Sequence, residues 1–156
     1  MNENENENEN LNVNENAQND PNVPNDPNDP NDLPSRIDAV EEAYEMMLAY
    51  AAQGLSGEAA ARSGAPLRDV LMRTSSALNG LADVLRAIVK GKSLQPADHY
   101  ATFADMLERD ARHARASIEL VLAQPAISSQ LVDNLNASVH LRALLTDLFL
   151  IDELLK

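Results

Sequence analysis

Pro66, Pro96 and Pro125 each stand immediately before a run of apolar residues at helical spacing. A proline is tolerated in the first turn of a helix, where its missing N–H has no partner to lose, and it disrupts a helix interior. With Pro34 as a further entry point, the prolines mark out four helical runs, and the chain between them has few positions left to turn.

The first helix is expected from Ser35 to Gln53, with Ser35 as N-cap, Asp38 in the first turn and Gly54 as a left-handed terminator. Ile37, Val40, Tyr44, Met47 and Ala51 share one face, and Glu41, Glu42 and Glu45 take the other. Residues 55–65 read as a loop, although Glu58 to Arg62 has the composition of a helical turn. The second helix is expected from Pro66 to Lys90, ended by Gly91. Its Leu67, Leu71, Thr74, Leu78, Leu81, Leu85 and Ile88 keep a strict alternation of four and three residues. Gly80 falls inside this run and reads as a point of close helix crossing, at a cost of about 1 kcal/mol relative to Ala.

The third helix is expected from Gln95 to Ala123, burying Tyr100, Phe103, Leu107, Ala111, Ala114, Ile118 and Val121. The fourth is expected from Pro125 to Leu155. Short connections favour antiparallel neighbours, so the expected fold is all-α: an up-down-up-down four-helix bundle over residues 35–156.

Residues 1–34 obey different physics. Asn occupies every even position from Asn2 to Asn16 and every third position from Asn19 to Asn31. Nine acids and no Lys or Arg accompany them, with few large apolar side chains. Such a segment cannot offset its ordering entropy, and an acidic, disordered, low-complexity tail is the expectation. The whole chain has a formal charge of −13. Outside the tail, 16 acids face 12 bases. Nucleic acid and anionic membrane surfaces are therefore not expected partners.

The absence of Cys excludes disulfides, thiolate metal sites and Cys nucleophiles. With neither a secretory signal nor about 18 successive apolar residues, a cytoplasmic location is expected. Catalytic patterns are equally scarce. A carboxylate-bridged di-iron bundle needs Glu-x-x-His pairs on two helices, and the nearest approach is a single Asp110-x-x-His113. The serines at 75–76 and 128–129 lie in or at the start of helical runs, not in a strand–turn–helix elbow. No enzyme, cofactor or metal is expected.

Two features of the fourth run stand out. Leu141, Leu144, Leu148, Ile151 and Leu155 make its core stripe, but Phe149 and Leu150 fall on the polar arc with Arg142, Thr146 and Glu153. Arg142, Phe149, Leu150 and Leu154 are the expected contact surface for a protein partner or a second copy of the chain, the latter as a homodimer. The other feature is a polar ridge, with Asp133, His140 and Asp147 spaced by seven and Asn136 one turn before His140. Asn136 is expected to hydrogen-bond that ring. The ridge is expected to face either Glu41 and Glu45 or the segment from Asp110 to His113. It offers an alternative function: ligand or metal binding, or histidine phosphotransfer, at His140. On the third helix, Arg109, Arg112 and Arg115 are expected to pair with neighbouring acids, among them Asp105–Arg109 and Glu108–Arg112.

Overall fold

A computed structural model describes residues 32–156, and these form seven helices without a strand. The expected disordered tail falls largely on residues 1–31, outside the described residues. In order, the helices are α1 (Leu33–Ala51), α2 (Gly57–Ser63), α3 (Ala65–Leu78), α4 (Leu81–Gly91), α5 (Ala97–Leu122), α6 (Ser129–Ala137) and α7 (Val139–Leu155).

The all-helical class stands, whereas the expectation of four unbroken helices needs correction at both ends of the heptad argument. The second expected helix is two, α3 and α4. Asn79 turns extended, and Gly80 adopts a left-handed φ of +71°. That region is open to glycine and strained for a residue with a Cβ. A Cβ at Gly80 would meet nothing within 4 Å, so the residue marks a break and not a close crossing. The fourth expected helix is also two. Ser138 is extended, and its hydroxyl donates to the Leu135 carbonyl at 2.6 Å, a local bond that competes with helix continuation. The stretch read as a loop contains α2.

At the start of α1 the cap is Asp32, not Ser35. Its carboxylate accepts from the Ser35 N–H at 2.8 Å, and Pro34 occupies the first turn. Asp38 therefore lies beyond that turn. Gly54 does adopt the left-handed conformation expected of it, three residues after the end of α1.

The breaks leave the core stripes facing one interior. Leu67, Leu71, Thr74, Leu78, Leu81 and Leu85 are all buried across the α3–α4 break. They join Leu107, Ala111, Ala114, Ile118 and Val121 of α5 and Leu141, Leu144, Leu148 and Ile151 of α7. α1 packs against α3, α6 and α7, and α5 packs against α3, α4, α6 and α7. Hydrogen bonds fix several of these packings. Arg36, near the start of α1, donates to the Ala77 and Asn79 carbonyls at the end of α3. Arg68, near the start of α3, donates to the Leu122 and Gln124 carbonyls at the end of α5. Lys92, just past α4, donates to the Leu155 carbonyl at the end of α7. Three helix C-termini thus receive a cation from a neighbouring element, at the carbonyls that lack intrahelical partners and carry the negative end of the dipole.

Where α1 meets α6, the closure is buried and polar. Tyr50 Oη donates to the Ile127 carbonyl at 2.7 Å, and Ser129 Oγ donates to the Tyr50 carbonyl at 2.7 Å. The Leu55 N–H donates to Ser129 Oγ at 2.8 Å, and the Ser129 N–H donates to the Leu55 carbonyl at 2.9 Å. Burial pushes the Tyr50 hydroxyl above its ordinary range, which keeps it protonated as a donor.

Candidate functional site: the seam between α5 and α7

α7 follows α5 in the opposite direction, and the residues that meet along this seam change character from one end to the other. At its upper end the His113 and His140 rings meet edge to face, with centroids 5.1 Å apart and planes at 63°. Both residues are exposed. Two turns further along α7, Asp147 lies near Asp110, which stands one turn before His113 on α5. The Asp147 carboxyl is pushed above the ordinary range, first by partial burial and then by the nearby Asp110 charge.

The lower end is apolar. Pro96, His99, Tyr100 and Phe103 from the start of α5 face Ile151 and Leu154 of α7 around a pocket of about 250 Å³. Leu150, one turn before Leu154 on the same helix, is 52% exposed, and Leu154 itself is 58% exposed. Phe149, on the adjacent strip, is 45% exposed. Arg142 is exposed on that strip two turns earlier. Immediately beneath these side chains Leu148 and Ile151 are buried. Three large apolar groups thus stand in solvent within six residues of one helix, and Leu154 borders an apolar recess. Leu48, Met72 and Leu120 are also exposed, but each is on a different helix.

The polar ridge expected on one continuous helix is divided by the break at Ser138. Asp133 remains on α6, exposed, and lines a groove with Leu48, Leu55, Ser128 and Gln130. His140 and Asp147 go with α7 and meet α5, so the ridge faces the Asp110–His113 segment. Asn136 and His140 no longer share a helix, and the i,i+4 relation that would have joined them is lost. The Asn136 Oδ1 is buried without a hydrogen-bond partner among the described residues. His140 is more exposed than a residue flanking the core stripe would be.

The arginines of α5 are drawn into local ion pairs. Arg112 pairs with Glu108 as expected, at 3.0 Å, and Arg115 pairs with Glu119 at 2.7 Å while donating to the Asn79 side chain. Asp105 pairs with Arg86 of α4 in place of Arg109. Arg86 also holds Asp83 and Glu108, and these carboxylates raise its pKa further. At these exposures each pair is worth little singly.

Two parts of the seam escaped sequence reasoning. Tyr100 and Phe103 were assigned to the core stripe alone, yet both are only partly buried and line the pocket. The signal was present in Pro96 and His99, which open α5 with a polar and a rigid residue where a closed core would place aliphatic ones. The meeting of His113 with His140 has no sequence signature, because it depends on the register of two helices far apart in the chain.

Among the described residues, no three His, Asp or Glu side chains converge in a way that could hold a metal ion, and no helix is long and apolar enough to cross a membrane. Comparison with protein-family models, curated proteins and solved structures gave no match to this chain.

Proposed function

We propose that the protein is a non-enzymatic interaction module that self-associates through the C-terminal half of α7, as a twofold dimer. Arg142, Phe149, Leu150 and Leu154 form the contact surface, and the apolar recess beside Leu154 receives a side chain of the second copy. The observation that carries this reading is the exposure of Phe149, Leu150 and Leu154, each about half in solvent, within six residues of one helix, with Leu154 lining that recess. Exposed apolar surface rimmed by polar residues marks a site of contact. A twofold contact needs one such self-complementary patch. Arg142 and the exposed Lys156, which pairs with Asp152 and Glu153, supply a polar rim of mixed charge around it.

In this reading the helices act as a four-sided bundle, α3–α4 and α6–α7 each serving as one bent side. The setting is cytoplasmic, and neither nucleic acid nor membrane is a partner. The test is replacement of Phe149 and Leu150 together by Ser. Loss of the dimer with helicity retained supports the proposal, and an unchanged mass in sedimentation rejects it.

A further inference from the structure

We propose that His113 and His140 form a two-histidine site for a divalent d-block cation, one that clasps α5 to α7 independently of any self-association. Two imidazoles at adjacent positions on one ion, each through a nitrogen about 2 Å from it, place their ring centres about 4.5 to 5 Å apart, whether the ion is tetrahedral or takes a square or octahedral set. The two rings here are 5.1 Å apart and come from different helices. Their planes are inclined at 63°, edge to face, so one ring presents its edge to the other, and a turn of the second exposed ring about its side-chain bonds brings a nitrogen of each onto a common ion. Ring packing alone gives little reason for two exposed polar rings to meet, since water solvates each of them well.

The surroundings favour a cation. Asp110 lies one turn before His113 on α5, and Asp147 lies across the seam from it. The Asp110 charge disfavours the ionised form of Asp147, and an ion at the histidine pair would relieve that repulsion through the field it adds. They act at a distance, because no third His, Asp or Glu reaches a ligating position among the described residues. Water therefore completes the coordination. Imidazole selects Cu²⁺, Ni²⁺ and Zn²⁺ over Mg²⁺ and Ca²⁺, and among these Cu²⁺ binds most tightly. A site with two protein ligands is weak compared with a closed structural site, so it responds to the free ion concentration and does not carry the fold.

The chain has only three histidines, and the third, His99, sits at the opposite end of the seam, where it serves as an internal control. The experiment is calorimetric titration of the full chain, free of any purification tag, with Ni²⁺ and separately with Mg²⁺. It is paired with thermal unfolding of the wild type, His113→Gln, His140→Gln and His99→Gln. The expected result is one Ni²⁺ per chain, no response to Mg²⁺ and a Tm raised by Ni²⁺ in the wild type and in His99→Gln. Both His113→Gln and His140→Gln should bind at least about tenfold more weakly and lose the Tm shift. Absence of stoichiometric Ni²⁺ binding overturns the proposal. So does binding that survives in either His113→Gln or His140→Gln, since a lone imidazole would then suffice.

Discussion

The junction of α1 with α6 and the seam of α5 with α7 close the same core by opposite means. At the junction, Tyr50, Leu55, Ile127 and Ser129 exchange four hydrogen bonds across about 75 residues of sequence, and the Tyr50, Ile127 and Ser129 side chains are buried. At the lower seam, the same kind of helix pair leaves Phe149, Leu150 and Leu154 half in solvent, with Leu154 at the edge of an apolar recess. The difference teaches where stability and recognition separate. Buried polar groups that satisfy one another hold one geometry and are costly to disturb. Exposed apolar groups contribute little to the isolated chain and are free to serve a contact.

The contrast can be broken from its strongest point outward. Leu148 is fully buried directly beneath the exposed strip, so Leu148→Ala should cost about 2–5 kcal/mol in chemical denaturation, for lost burial and the cavity left behind. A cost below about 1 kcal/mol would mean that the end of α7 is not packed as described. Ser129→Ala leaves the Leu55 N–H and the Tyr50 carbonyl without their side-chain partner, and should cost about 1–3 kcal/mol. If that variant were neutral, the junction would not be the rigid end of the comparison.

Most of this architecture was legible because the apolar stripes are strict. Leu67 through Leu85 on the second run and Leu141 through Ile151 on the fourth all reach the core as their spacing demands. The breaks were not legible in the same way. Asn79-Gly80 and Ser138 interrupt the backbone hydrogen-bond pattern without interrupting the stripe, and a left-handed residue between two in-register segments leaves the hydrophobic periodicity intact. That limit carried over to the site. The exposed Phe149 and Leu150 follow from position within one helix and are found where the wheel places them. The ridge through Asp133, Asn136, His140 and Asp147 assumed continuity across Ser138, and it came apart there. Contacts between helices, such as His113 with His140, depend on register that no single run contains.

A smaller effect sharpens the comparison at the polar end of the seam. The Asp147 carboxyl holds its proton to higher pH in the folded chain than in the unfolded one, through burial and the charge of Asp110. The folded state therefore carries a penalty at neutral pH, and it gains stability as pH falls through the folded pKa. Asp147→Asn should be slightly more stable than the wild type at pH 7, by up to about 0.5 kcal/mol, because the site is partly solvated. Denaturation curves of the two proteins should converge as pH is lowered toward about 4. A wild type more stable than the variant at pH 7 would show that the carboxylate is held by a favourable partner.

The most direct test is sedimentation equilibrium of the full chain over a range of concentrations, with the Phe149→Ser, Leu150→Ser double variant run beside it. The wild type should show a monomer–dimer equilibrium and the variant a monomer, with far-ultraviolet circular dichroism that matches between them. A wild type that stays monomeric throughout, or a variant that dimerises as well as the wild type, would contradict it.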